Sequence, residues 1–338
     1  MNLYIILTAL WIGSSSAFTF RGATSSFTPR ISFVDSSLLA TTTSEEIIPR
    51  EVLFGNPEYA APSISPDGKY LAFLKPDDGV LNVFIRTVGK QDDRVVTNDR
   101  LRGIRGVNWA EDSKTLLYNQ DKGGDENFHL YAIDALTPGS EAIDLTPFDG
   151  AKAQNTITNK RFPDEILVAI NNKDPTKFDM YRIDLPKALT GDALGALTLD
   201  TENPGGVVGW GTEDKSFEVR EALVINSEDS SSTVKVRDSK DSEWRELITF
   251  PYGEEGQMID FCADGKSALM LSTLGRETTA LLKIDLKTAE TKEVIAAQDR
   301  CNVGGVFLDE DTKVVRGVSF NYARLEREFF DKEVRVCV

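Results

Sequence analysis

The sequence predicts an all-β protein, a β-propeller of four-stranded blades. Three observations lead to this prediction. Hairpins with an Asp-containing turn recur about every 45–50 residues, a third strand of alternating apolar residues follows most of them, and the 3.6-residue periodicity of helices is nearly absent. Four strands in a unit of that length are typical of a propeller blade.

The hairpins come first in each unit. The first runs from Ser63 to Phe73, and its Asp67-Gly68 turn between apolar-alternating runs is typical hairpin chemistry. The same form recurs in five further segments: Val107–Tyr118, Thr156–Val168, Val208–Phe217, Met258–Leu269 and Gly305–Val315.

The third strands follow the hairpins and often end in Asp: Val83–Thr87, Phe128–Asp134, Met180–Asp184, Val234–Asp238 and Leu281–Asp285. A more polar fourth strand comes next, as at Glu141–Leu145 and Trp244–Ile248. This pattern predicts five blades and the opening hairpin of a sixth, Val303–Phe307 with Val314–Phe320, within residues 47–321. The predicted ring is incomplete, and residues 322–338 are assigned to a tail.

Length and composition describe a soluble globular chain. Its 338 residues suffice for one large domain or two ordinary ones, and 41% hydrophobic residues can fill a core. A formal net charge of −16, from 54 acidic and 38 basic side chains, argues against nucleic acid as a partner, since phosphate binding needs clustered Lys and Arg. One histidine excludes most zinc and copper sites, and three cysteines are too few for a disulfide framework.

The N-terminal 46 residues predict a targeting sequence. Residues 1–17 contain the apolar run Leu3–Gly13, which suits a signal-peptide core and is too short to cross a bilayer. Residues 18–46 begin with a Ser- and Thr-rich stretch that carries two arginines, and together the segments resemble the two-part plastid presequence of algae with secondary plastids. We expect a plastid protein without a membrane anchor once the presequence is removed. The alternative is secretion or the endomembrane lumen.

Several strings, in this order and spacing, resemble one known family. Gly123–Asp134 followed by Asp144–Phe148 is similar to the propeller of the prolyl oligopeptidase family, especially its acylaminoacyl-peptidase and dipeptidyl-peptidase-like branch. The resemblance covers about residues 47–330 and continues through Thr198–Gly205, Trp244–Leu247, Gly275–Ala280 and Val318–Arg324.

The resemblance implies a serine peptidase that acts on short peptides. Family members join an N-terminal propeller, which screens peptides by size and shapes the substrate cavity, to a C-terminal α/β-hydrolase domain with a Ser, Asp and His triad. This chain stops where the family's propeller is unfinished, and it contains no Gly-x-Ser-x-Gly nucleophile motif. We therefore expect the 338 residues to be the non-catalytic, substrate-gating part of such an enzyme, without the hydrolase domain.

No catalytic, cofactor-binding or metal-binding residue is predicted, because each candidate has a simpler structural explanation. Ser267 and Ser319 lack the second glycine that the nucleophile turn needs, and His129 lies in an alternating propeller strand. The string Gly265–Ser267 would belong to a phosphate loop only with a glycine at position 260, which is Asp260.

Acidic clusters and cysteines receive the same interpretation. Asp77–Gly79 and Asp309–Asp311 sit where turns belong and lack the ligand spacing of calcium loops. Cys262 lies in a core-type strand, and Cys337 falls in a terminal stretch unlike the family. The Asp residues that end the third strands are expected to bond to turns, and no cofactor is expected.

Two functions of different classes remain. The first is the gating propeller of a peptidase, whose peptide substrates meet a hydrolase domain absent from these residues. The second is a stand-alone propeller that serves as a protein-interaction scaffold through loops on one face. The unfinished sixth blade favours the first, because an open apolar edge invites self-association through the terminal blades.

Overall fold

The protein is a β-propeller. The computed structural model describes residues 48–331, which form six antiparallel sheets in sequence order, and this confirms the predicted fold class. The predicted segments 1–17 and 18–46 lie outside the described residues, so plastid targeting stays a prediction. A separate short unit ahead of the propeller includes helix α1 (Arg50–Phe54).

The first three blades take up the N-terminal half of the propeller. Blade 1 comprises β1 (Ala60–Ile64), β2 (Tyr70–Asp77), β3 (Val80–Thr87) and β4 (Arg94–Val95). Blade 2 comprises β5 (Val107–Trp109), β6 (Thr115–Gln120), β7 (His129–Asp134) and β8 (Ile143–Asp144). Blade 3 comprises β9 (Ala153–Thr158), β10 (Glu165–Asp174), β11 (Lys177–Asp184), the short helices α2 (Leu185–Leu189) and α3 (Ala193–Ala196), and β12 (Leu197–Thr201).

The last three blades follow the same order. Blade 4 comprises β13 (Val207–Glu213), β14 (Glu218–Ile225), β15 (Ser232–Val236) and β16 (Arg245–Phe250). Blade 5 comprises β17 (Gly256–Phe261), β18 (Ser267–Ser272), β19 (Ala280–Asp285) and β20 (Thr291–Ala296). Blade 6 comprises β21 (Val303–Leu308), β22 (Val315–Asn321) and β23 (Leu325–Phe329).

The sixth blade corrects the predicted blade count. The sequence predicted only its opening hairpin, whereas the structure adds a third strand, β23, paired with β22 from Gly317↔Phe329 to Asn321↔Leu325. The strand was missed because Glu326, Arg327 and Glu328 make it too polar for an alternating pattern. Six blades are therefore present, and the last one extends past residue 321 into the predicted tail.

The recurring Asp residues have a structural role in the turns. Asp112 accepts hydrogen bonds from the backbone N–H groups of Lys114 (2.9 Å) and Thr115 (2.8 Å), and Asp264 does the same two and three residues on. The Asp residues that end third strands act likewise, since Asp134 and Asp285 accept from the next turn. Short side chains that bond their own backbone fix such turns, as the sequence predicted.

Alternation along each strand builds the core between blades. In β10, Ile166, Val168 and Ile170 pack in the cluster shared with blade 2, while Leu167 and Ala169 pack in the cluster shared with blade 4. Five such clusters join successive blades, from 1–2 to 5–6. A side-chain period of two gives each strand two faces, so every middle blade can serve two neighbours.

Blade 1 ends the series with an aromatic face that cations cover. On the side away from blade 2, the ring of Phe73 lies 5.5 Å from Tyr59 and 6.1 Å from Phe84, measured between centroids. The Lys75 ammonium lies 5.4 Å from the centroids of Tyr59 and Phe84, and the Arg86 guanidinium lies 5.5 Å from that of Phe73. Cation–π contacts therefore cover part of this aromatic face. Across the described part of the chain, no helix is long and apolar enough to span a membrane.

Candidate functional site

The first strand of each blade lies at the axis of the ring. Neighbouring first strands contact one another, as β1 does β5 and β13 does β17. Because every blade runs in the same order outwards, the turns after the first strands gather at one mouth of the axial channel, which we call the turn mouth. The loops that lead into the first strands gather at the other mouth, the linker mouth.

A cleft of about 560 Å³ opens between the first strands of blades 2 and 3. Its walls carry amide, aromatic and hydroxyl groups, namely Asn108, Trp109, Tyr118, Asn119, Gln154 and Thr156. Pockets of this size, with polar groups on a partly apolar wall, typically hold small ligands. Thr156 Oγ1 is buried and, within residues 48–331, has no hydrogen-bond partner.

The linker end of the cleft is cationic. The Arg105 guanidinium lies 5.6 Å and the Lys152 ammonium 5.7 Å from the ring centroid of Phe128, and all three side chains line the cleft. The backbone beneath them is fixed: Lys152 N–H donates to Asn171 Oδ1 (2.6 Å), and Ala153 N–H donates to the Phe128 carbonyl (2.7 Å). Two cations therefore flank one aromatic ring on an ordered backbone.

The turn mouth is held by contacts between successive turns. Successive blades from 1–2 to 5–6 are joined there: Ser113 to Asp67 (3.1 Å), Thr158 to Glu111 (2.9 Å), Asn159 to Asp214 (2.8 Å), Lys215 to Ala263 (3.1 Å) and Lys313 to Asp260 (3.0 Å). Charged turns thus bind the blades together where the apolar clusters end.

Among the described residues, ion pairs also join turns of blades that are not neighbours: Lys160 of blade 3 pairs with blade 6, and Lys313 of blade 6 lies 3.8 Å from Asp214 of blade 4. Lys160 Nζ donates to Asp311 and lies 3.9 Å from Glu310. The Asp311 hydrogen bond raises the pKa of Lys160, and burial raises the pKa of Glu310 although Lys160 opposes it. The Lys160–Asp311 pair narrows the turn mouth, because it joins blades 3 and 6, which are not neighbours.

Replacing Lys160 by Met is expected to loosen the turn mouth without unfolding the propeller. The pair is partly exposed, so the free energy of unfolding should change by less than about 1 kcal/mol. Amide hydrogen exchange in residues 309–313 should become faster. Lys313→Met is the contrast: its ammonium neutralises the largely buried Asp260, so unfolding should become about 1–3 kcal/mol easier. Unchanged exchange in Lys160→Met would refute the bridging role.

The structure keeps the candidate triad residues apart. His129 is buried in blade 2, and its Nδ1 is hydrogen-bonded to Asp144 Oδ2 at 2.7 Å. Ser267 in blade 5 accepts from Lys292 Nζ (3.0 Å), and Ser319 in blade 6 accepts from the Gly305 N–H (2.7 Å). Each hydroxyl is engaged within its own blade, so these groups do not form one site.

The acidic clusters and Cys262 are also accounted for by their neighbours. Asp77 and Asp78 pair with Arg100, at 2.9 Å and 3.4 Å from its Nη1. Asp309 accepts from Thr312 and pairs with Arg316. Burial raises the pKa of the Cys262 thiol to about 11, which disfavours the reactive thiolate at neutral pH.

Sequence reasoning missed the cleft residues. Arg105 stands in a linker between blades, and Phe128 belongs to the start of a third strand that was assigned to packing. Lys152 is one residue ahead of β9. No signal in the sequence marks these residues, because only the packing of blade 3 beside blade 2 brings cations from two linkers onto one aromatic side chain.

Comparison with known proteins places this propeller among peptidases. Over 294 residues the chain is 36% identical to dipeptidyl aminopeptidase BIII of Pseudoxanthomonas mexicana, covering 86% of this chain and 41% of that protein. It is 22% identical over 302 residues to dipeptidyl peptidase family member 6 of Caenorhabditis elegans, covering 86% and 40%. The chain thus spans about two fifths of the length of these relatives. No protein-family model matches the sequence.

Solved structures support the fold. The β-propeller domain of the Trilobed protease from Pyrococcus furiosus, described as having an open velcro topology, superposes with a TM-score of 0.52 at 18% identity, covering 81% of this chain and 82% of that chain. A Mycobacterium tuberculosis puromycin-hydrolyzing peptidase gives 0.55 at 13% identity, covering 82% and 45%. Fold and homology together define a peptidase-type β-propeller. The chain is homologous to a dipeptidyl aminopeptidase over its propeller, in agreement with the predicted resemblance to the propeller of the prolyl oligopeptidase family.

Proposed function

We propose that this propeller is the substrate-gating, non-catalytic part of a serine peptidase that acts on short peptides, with acyl transfer performed by an α/β-hydrolase domain outside these residues. The observation that carries the proposal is the cleft between blades 2 and 3, which is wide enough for a short peptide. The crossing pair Lys160–Asp311 narrows the turn mouth behind it. A folded protein could not enter such a space, whereas a short extended peptide could.

The face of the propeller around the linker mouth, which we call the linker face, is the surface we assign to the hydrolase domain. Three large apolar side chains are well exposed there: Leu101 and Tyr252 on linkers between blades and Tyr322 on a turn of blade 6, at 86%, 82% and 65% exposure. Exposed apolar groups collected on one face suit a protein contact. That face also holds the cationic end of the cleft, so a peptide could pass directly between the two domains.

Peptide binding to the purified chain tests the gating role. We expect labelled short peptides to bind, measured by fluorescence anisotropy. Asn108→Trp, an exposed second residue of a first strand inside the cleft, should weaken binding at least about tenfold by filling it. Val208→Trp is the matched control, because it is the exposed second residue of β13 outside the cleft. Absence of binding, or equal loss in both variants, would contradict the proposal.

Two further measurements test whether the propeller is non-catalytic and whether a separate hydrolase domain performs the reaction. The purified chain should not hydrolyse dipeptidyl or acyl-aminoacyl anilides, and activity that survives removal of contaminating peptidases would refute a non-catalytic role. The transcript should continue in frame beyond the codons for Phe330–Val338 into a sequence with Gly-x-Ser-x-Gly, Asp and His. A genuine stop after Val338 would instead favour a stand-alone scaffold.

A further inference from the structure

We propose that Arg105 and Lys152 form a binding site for the C-terminal α-carboxylate of a short peptide lying in the cleft. The inference rests on the proposed function, since it assumes that the cleft accepts peptides. It goes further by naming the end of the peptide that is recognised, the residues that recognise it and the direction in which the peptide lies.

The first argument is that these two cations lack acidic partners. Within residues 48–331, the contacts of the Arg105 guanidinium and the Lys152 ammonium are with the ring of Phe128, and no carboxylate pairs with either. The other arginines of the same linker are engaged: Arg100 pairs with Asp77 and Asp78, and Arg102 with the buried Asp121 at 3.5 Å. In a chain of net charge −16, two unpaired cations that share one aromatic ring leave room for an anionic ligand.

The second argument is that Phe128 positions the cations without neutralising them. An aromatic face attracts a cation by about 0.5–1 kcal/mol at exposed sites, and it occupies none of the N–H donors. The guanidinium fork of Arg105 and the ammonium of Lys152 therefore stay free to donate to a carboxylate. Because the Ala153 N–H donates to the Phe128 carbonyl, the backbone that carries the ring is ordered, and the site needs little reorganisation to bind.

The third argument is that the opposite end of the cleft has the opposite charge. Glu111 lines the turn end, accepts a hydrogen bond from Thr158 Oγ1 at 2.9 Å, and has no cationic partner among the described residues. A peptide with free termini can place its ammonium near Glu111 and its carboxylate near Arg105. The amides of Asn108 and Gln154 line the cleft between them, where peptide groups need hydrogen bonds.

The dimensions set the length of such a peptide. Strand β9 runs along the cleft from Ala153 to Thr158, which at about 3.3 Å per residue spans roughly 16 Å. An extended peptide has nearly the same rise, so about four to five residues fit between the charged ends. The site would thus select short peptides by the distance between their two termini. This selection would act in addition to the size limit that the narrowed turn mouth sets.

The test compares tetrapeptides that differ at their C-terminus, titrated calorimetrically into the full chain. The free acid should bind about tenfold more tightly than the C-terminal amide, an effect expected for a charge-assisted contact. The double variant Arg105→Gln with Lys152→Gln should abolish this preference. The control, Arg276→Gln with Lys90→Gln, removes the same charges from exposed positions outside the cleft and should keep it.

Each contrary outcome has a distinct meaning. Equal binding of acid and amide, or a preference that survives in the double variant, would overturn the carboxylate site and leave peptide binding intact. Tight binding of an amidated peptide with a terminal Asp would also overturn it, because the site would then read any carboxylate. Binding of neither form would refute both this inference and the proposed function. Thermal melts of the variants confirm that they fold.

Discussion

Glu221→Gln is expected to gain stability over wild type as the pH rises. The difference in free energy of unfolding, variant minus wild type, should be about 3–4 kcal/mol larger at pH 8 than at pH 5. Glu221 lies in β14 of blade 4, is 7% exposed and faces Gly211 on β13, where a side chain would collide with its carboxyl. Within the described part of the chain, no hydrogen bond or ion pair reaches that carboxyl. Burial raises the pKa of Glu221 to about 8.

The direction follows from proton binding. Because the folded chain holds this proton more tightly than the unfolded chain, Glu221 favours folding at pH values below the ordinary Glu pKa near 4.5. This stabilisation decreases as the pH rises from about 4.5 to about 8. At higher pH Glu221 makes no further change to the free energy of unfolding. Gln has nearly the same shape and carries no charge at any pH, so Glu221→Gln should lack this dependence.

Denaturant unfolding at pH 5, 6, 7 and 8 measures the effect. Glu218→Gln is the matched control, since it makes the same chemical change on the same strand at a less buried position. The control should follow the wild-type pH profile. Parallel profiles for wild type and Glu221→Gln would show that Glu221 is not held as a neutral acid.

Phe250→Ala is expected to lower the free energy of unfolding by about 3–5 kcal/mol, because a fully buried aromatic ring leaves a cavity that the blades cannot close. Phe250 ends β16 and packs in the cluster between blades 4 and 5. Its ring lies against Gly256 at the start of β17, where a methyl group would overlap the ring. Gly256→Ala should therefore cost about 1–3 kcal/mol through overpacking alone.

A double-mutant cycle separates this contact from other effects. Phe250→Leu shortens the side chain, so Gly256→Ala should cost less in that background than in wild type, with a coupling above about 0.5 kcal/mol. Gly253→Ala is unsuitable as a control because its φ of +91° strains any side chain. Gly209→Ala is better, since its methyl group would meet only Leu223 Cβ at an ordinary 3.7 Å. Additive costs at Phe250 and Gly256 would refute the contact.

Much of the fold could be predicted from local patterns. The turns at Asp112 and Asp264 were recognisable because one side chain and the next two backbone N–H groups suffice to build them. The third strand of blade 6 was not recognisable. Strand β23 is held by backbone pairing with β22. Because this pairing uses backbone groups only, a polar sequence gives no indication of it.

The candidate site could not be predicted from the sequence, for a related reason. Arg105 and Lys152 come from linkers 47 positions apart in the numbering, and each alone looks like a solvated surface charge. Glu221 is similar, since a glutamate in an alternating strand gives no indication that it faces a glycine and is buried. The cleft depends on which blade lies beside which, and the burial of Glu221 depends on its pairing with Gly211 on the neighbouring strand.

The sequence by itself determined the repeat and the strand order within each blade, because these follow from period-two alternation and turn chemistry over short distances. The resemblance to a known family came from particular strings of residues in a fixed order. The tertiary structure alone decided the six-blade count, the charged contacts across the turn mouth and the cleft with its oppositely charged ends. The contacts and the cleft arise where residues far apart in the chain meet around the axis, whereas the sixth blade depends on the backbone pairing of β23 with β22.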